Sequence, residues 1–177
     1  NIGLEGIMVI GAFVSIYVNL TFFETMGRNV IWVALLAAIV AGAVFSILLA
    51  VAAVTFRADQ TVTGVALNML GVAIAIFLVK MIYEGKGQTD MIQAPIRRVE
   101  IPYLSDIPVL GPMFFKDVYS VSIIAFGVAI LAWFVIYKTP FGLRLRSVGE
   151  HPMAADTMGI NVTKMRYVAV MISGALA

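Results

Sequence analysis

Charged residues divide this chain into long uncharged stretches. Gly6 to Phe23 lies between Glu5 and Glu24, and residues 29–56 lie between Arg28 and Arg57. Residues 60–79 lie between Asp59 and Lys80, and residues 118–137 between Asp117 and Lys138. A fifth uncharged run begins at Tyr167 and continues to Ala177. About 20 largely apolar residues cross about 30 Å of hydrocarbon as a helix. The pattern therefore predicts membrane spans over residues 6–23, 29–56, 60–79, 118–137 and 167–177, the last one truncated. The second run exceeds one crossing, which predicts tilt or an interfacial extension. Strands of a membrane barrel would alternate every second residue. Stretches such as Ile31–Val40 and Phe126–Ile136 do not. The fold class expected is all-α, a polytopic transmembrane helical bundle.

Composition strengthens that reading. Of 177 residues, 62% are hydrophobic and 12% charged, against about half and about a quarter in soluble domains. A net charge of +2 is too small to point to nucleic acid. The chain has no cysteine, which excludes disulfides and thiol chemistry. A single histidine, His151, without clustered carboxylates makes no metal site. No nucleophile–base arrangement is visible, and no catalysis is expected. No GxxxxGK[ST] phosphate loop occurs; Glu84-Gly85-Lys86-Gly87 lacks the spacing and the following hydroxyl. Energy for any transport must come from another chain or an ion gradient. The start at Asn1 and the run cut off at Ala177 read as an internal part of a longer protein.

The connections differ in kind. Glu24–Arg28 and Arg57–Asp59 are tight turns. Residues 80–117 carry Pro95, Pro102, Pro108 and Pro112, a density that opposes helix. Basic residues do not orient the chain. Arg57, Lys138, Arg144, Arg146, Lys164 and Arg166 fall on one side, and Arg28, Lys80, Lys86, Arg97, Arg98 and Lys116 on the other. Residues 138–166 form a polar but patterned interruption. Pro140 and Gly142 are expected to break the incoming helix. Pro152 suits a first helical position, Gly159 a helix stop and Asn161 an N-cap. A short helix exposing Ala154, Ala155 and Met158 would either dock in a partner's groove or anchor the bundle at the interface. The residues alone leave both open.

GLRLRSVGEHPMAADTMGINVTKMRY, Gly142 to Tyr167, resembles the cytoplasmic signature of ABC-importer permeases for sugars, branched-chain amino acids and nucleosides. NIGLEGIMVIGAF (Asn1 to Phe13) and ADQTVTGVALNML (Ala58 to Leu70) resemble the same family, in the same order. IPYLSDIPVLGPMFF, Ile101 to Phe115, is close to the external loop of its simple-sugar and nucleoside branch. The resemblance implies a type II importer permease in a prokaryotic inner membrane. It implies alternating access and a second permease subunit, as homo- or heterodimer. It implies cytoplasmic ATPase subunits carrying ATP and Mg, with no cofactor in this chain, and an extracytoplasmic substrate-binding protein. Residues 138–166 would be cytoplasmic and 80–117 external. The ATPase would dock on Glu150–Gly159, with Gly149, Glu150, Ala154, Ala155 and Gly159 as the coupling residues. Nucleosides or simple sugars are the expected substrates, with branched-chain amino acids as the alternative. An ion-driven secondary transporter would need ionisable groups within the spans, and the four complete runs contain none.

Polar residues in spans are costly and often functional. Asn68 is the first substrate-path candidate; its other reading is an interhelical hydrogen bond. Ser15 and Asn19 share a face at i, i+4, lining a path or bonding a neighbour. Glu5, between Gly3 and Gly6, marks either a helix break at membrane depth or a helix-start acid favoured by the dipole. Phe13 and Tyr17 are positioned to stack on a nucleobase or sugar, or to pack the bundle. Arg57 and Asp59 form a candidate gate contact.

Overall fold

The computed structural model describes residues 1–85, 87–92, 98–99 and 118–177. The external-loop motif at 101–115 and all four loop prolines lie outside the described residues. Seven helices are present among them: α1 (Leu4–Met26), α2 (Val30–Ala50), α3 (Gln60–Ile82), α4 (Ser120–Lys138), α5 (Pro140–Glu150), α6 (Pro152–Thr157) and α7 (Val162–Leu176). Two short strands, β1 (Arg98–Val99) and β2 (Val118–Tyr119), pair antiparallel, Arg98 opposite Tyr119. Three helical stretches are long and apolar enough to cross a membrane: Leu4–Thr55, Gln60–Ile82 and Ser120–Lys138. The first folds back on itself, since a 3₁₀ turn at Gly27–Asn29 separates α1 from α2 and the two helices pack together.

The observed bounds correct several expected ones. α1 starts at Leu4, so Glu5 lies inside the helix and no break follows it. α2 ends at Ala50 and continues as a π-turn over Val51–Thr55. That turn uses up the excess length of the second run. α3 extends to Ile82. Val118–Tyr119 is strand, and α4 begins only at Ser120. α7 starts at Val162, five residues before the uncharged run.

The chain falls into two units, Asn1–Ala94 with Ser147–Ala177, and Pro95–Arg146. In the first, α1 packs on α2 and α3, and α2 on α7. Its core holds Ile7, Leu49 and Leu67, with Phe45 and Val170 against them. Two crossings bring backbones into contact. A Cβ on Gly6 would lie 2.6 Å from the Leu67 carbonyl oxygen, and one on Gly71 2.6 Å from that of Gly6. A Cβ on Gly174 would lie 2.6 Å from the Gly42 carbonyl oxygen. Lipid offers no hydrophobic gain for joining apolar helices, so small residues that allow close packing hold them.

In the second unit Thr139 ends α4 in an extended conformation. Its Oγ1 donates to the Val135 carbonyl at 2.6 Å and accepts the Gly142 N–H at 3.3 Å. α5 therefore begins at Pro140, with Thr139 as its cap. The expected break at Pro140 and Gly142 shrinks to the single residue Thr139, because proline in the first turn lacks only an N–H that would have no partner there.

Candidate functional site

The N-terminus of α1 starts against the side of α3. Asn68 Oδ1 accepts the Gly6 N–H at 2.8 Å, and its Nδ2 donates to the Ile2 carbonyl at 2.9 Å. The first N–H groups of a helix have no partner within it; here a side chain 62 residues away in sequence supplies one. Gly64, Asn68 and Gly71 recur at i, i+4 and i+7 on one face of α3. The glycines admit the α1 backbone and the amide holds it. Asn1 adds two bonds, accepting the Gly3 N–H at 3.1 Å and donating to Ser173 Oγ at 3.1 Å. Asn68 lies about 12 Å along α3 from Gln60 at 1.5 Å per residue. α1 therefore begins well inside the apolar length of its neighbour.

The side chain of Glu5 is exposed, one residue from this clamp, while Gly6, Ile7, Ile10 and Phe13 are buried. At 100° per residue, Ser15 and Asn19 fall within about 80° of Glu5, away from that buried set. Ser15 is half-buried and Asn19 is buried. The rings of Phe13 and Tyr17 stack on one another, centroids 6.3 Å apart and 15° from parallel. Phe13 is buried and Tyr17 exposed. Asn68 has Oδ1 and Nδ2 both engaged by the backbone at the start of α1, on either side of Glu5 in sequence.

At one end of this unit the α2–α3 connection meets the start of α7, through a hydrogen bond between the Thr55 and Tyr167 hydroxyls. Arg57 there has a left-handed backbone, φ +53°. Asp59 caps α3, accepting the N–H groups of Thr61 at 2.8 Å and Val62 at 3.1 Å. Those bonds, that of Val62 foremost, hold its carboxyl below the ordinary 3.8. This carboxylate serves the first turn of its own helix.

α6 is a compact corner preceding α7. His151 caps it, Nδ1 accepting the Ala154 N–H at 3.1 Å. An imidazole can do this only as the neutral Nε2–H tautomer. Pro152 occupies the first turn. Gly159 turns the chain with φ +80°, a conformation that disfavours any side chain. Asn161 caps α7, accepting the Lys164 N–H at 2.8 Å. Met153 and Met158 are 78% and 81% exposed, and Ala154 is exposed. Ala155, expected on the outer surface, is instead buried at 4%, because it sits on the side of α6 that faces its own unit. Gly149 and Glu150, both exposed, form the last turn of α5 rather than part of α6. Sequence reasoning missed α5 and the capping role of His151. Thr139-Pro140 was the available signal for the former. The latter had none, since histidine is not a favoured cap.

The family model described as "Branched-chain amino acid transport system / permease component" matches residues 1–177. The chain belongs to this permease family. It is 62% identical over 98% of its length to the guanosine ABC transporter permease protein NupQ of Bacillus subtilis, covering 54% of that protein. It is 48% identical over 99% of its length to the nucleoside ABC transporter permease protein NupC of Lactococcus lactis subsp. cremoris, covering 55% of it. A putative glucose ABC transporter permease protein of Haloferax volcanii is 29% identical over the whole chain, which covers 51% of it. The chain thus spans about half the length of these relatives. No solved structure matches. Family and apolar helices together make this a multi-pass membrane protein.

Proposed function

We propose that this chain is part of the permease of an ATP-driven importer of nucleosides in a prokaryotic inner membrane. The observation that carries this reading is the corner from His151 to Asn161. It combines a capped short helix, a left-handed glycine and two methionines held out from the bundle. An exposed helix carrying flexible methionines fits a groove on a partner. Cytoplasmic ATPase subunits binding ATP and Mg are the partners that fit, beside a second permease subunit and an extracytoplasmic binding protein. The nucleoside class rests on the two relatives whose names specify it.

Within this reading Glu5 and the half-buried Ser15 line the solute path, with Asn19 buried on the same side of α1. A carboxylate exposed at this depth is tolerated where it meets water or protein and is costly in lipid. Nucleosides offer the donors that Glu5 accepts: ribose hydroxyls and ring N–H groups.

The test is uptake by the complete transporter in proteoliposomes, with labelled guanosine, glucose and leucine compared. Guanosine uptake that requires ATP supports the reading, and transport of leucine alone overturns the substrate class. Met153→Asp with Met158→Asp is expected to abolish ATPase copurification. Undiminished copurification and uptake in that variant remove the docking assignment. Glu5→Gln is expected to lower guanosine uptake at least tenfold with the ATPase still bound.

A further inference from the structure

Residues 120–149 contain no aspartate or glutamate, yet they include Lys138, Arg144 and Arg146 within nine positions. In sequence these cations end or follow α4, a helix of 19 residues long and apolar enough to cross a membrane. Two of them are pinned on aromatic rings. Lys138 Nζ lies 5.7 Å from the centroid of the Trp133 ring, and Arg146 Cζ lies 5.1 Å from that of Tyr137. The two rings are 6.4 Å apart. The kink at Thr139 makes this possible, by turning α5 so that Arg146 returns over a residue nine positions earlier. Trp133 and Tyr137 are 54% and 56% exposed.

We infer that this cluster binds the phosphate headgroup of an anionic phospholipid. Tryptophan and tyrosine at the end of an apolar span sit at the level of the headgroups. Cation–π contact holds an ammonium and a guanidinium in place without neutralising them. Both therefore keep N–H donors and full charge for phosphate oxygens. A protein partner with an acidic surface would match the charge equally. The lipid is favoured because the cations are fixed on rings at the end of a helix long and apolar enough to span, the depth at which phosphates lie. The inference is independent of what the permease carries.

The experiment is native mass spectrometry of the full-length permease, released from nanodiscs of phosphatidylcholine mixed with phosphatidylglycerol. Each basic residue near a lipid surface favours anionic lipid by about fivefold. The wild-type protein is expected to retain phosphatidylglycerol over phosphatidylcholine by at least that factor. Lys138→Gln with Arg146→Gln should lower that ratio at least about fivefold, whereas Lys138→Arg with Arg146→Lys should preserve it. The inference is overturned if wild type shows no preference, a measurement that needs no variant. It is also overturned if the glutamine pair keeps the preference, or if that pair loses bound ATPase while its lipid ratio is unchanged.

Discussion

The two helix crossings of the first unit look alike in composition and differ in how they are held. Where α1 meets α3, Gly6 and Gly71 bring the backbones together, and Asn68 then bonds across to the N–H of Gly6 and the carbonyl of Ile2. Where α2 meets α7, Gly42 and Gly174 make an equally close approach beside Ser46. Ser46 is fully buried, but its Oγ donates to Ala43 one turn back in its own helix, at 2.7 Å. The first crossing is fixed in register by directional bonds. The second rests on close packing where Gly42 meets Gly174, and the hydrogen bond between the Thr55 and Tyr167 hydroxyls lies at the far end, where α2 runs on into its π-turn. The rigid crossing sits beside Glu5, and the other joins α2 to the helix leading from the exposed corner. Under the function proposed above, that corner is where force from the ATPase would enter.

The largest effect is expected where the crossings are alike. Gly6→Val and Gly42→Val each drive a branched side chain into a neighbouring backbone that cannot rotate away. Each should cost about 3 kcal/mol or more, read as lost thermal stability of the purified permease. A wild-type melting temperature for either variant would mean that the corresponding helices do not touch. Next comes the contrast itself. Asn68→Leu leaves a helix-start N–H and a carbonyl unmet, at about 1–3 kcal/mol. Hydrogen exchange should rise over residues 2–10 and stay unchanged over 36–50; a uniform rise would show that Asn68 fixes no register.

A smaller, pH-dependent effect is expected at Asp59, where a cap acts within its own helix. Because its folded-state carboxyl titrates below the usual 3.8, its stabilisation is complete above that value. It is lost as pH falls through the lowered one. Asp59→Ala should therefore flatten stability against pH below about 4, with the start of α3 frayed in exchange experiments. Retention of the full acid dependence would assign it to other carboxylates. The smallest effect belongs to Ser46→Ala, below about 0.5 kcal/mol, since alanine removes only a back-bond and is the better helix former. A loss matching that of Asn68→Leu would erase the difference between the crossings.

Much of this was legible in the chain. Uncharged runs between charges locate the middles of α1 to α4, because charge in hydrocarbon is costly and is kept to helix ends or to places that meet water or protein. Pro152, Gly159 and Asn161 announce α6 and the start of α7, because their roles depend on φ and on bonds within one turn. What escaped depends on partners remote in sequence. Asn68 had two readings, and only the position of Gly6 shows that its amide is engaged. Gly42 and Gly174 are ordinary glycines in apolar runs until α2 and α7 meet. The buried side of Ala155 and the placing of Arg146 over Tyr137 follow from how helices turn at their ends. The sequence by itself determined which segments form long apolar helices and which residues cap or turn the corner from Pro152 to Asn161, since solvation and capping are local. Only the tertiary structure decided which polar group meets which backbone, because that requires two helices to reach the same depth and face one another.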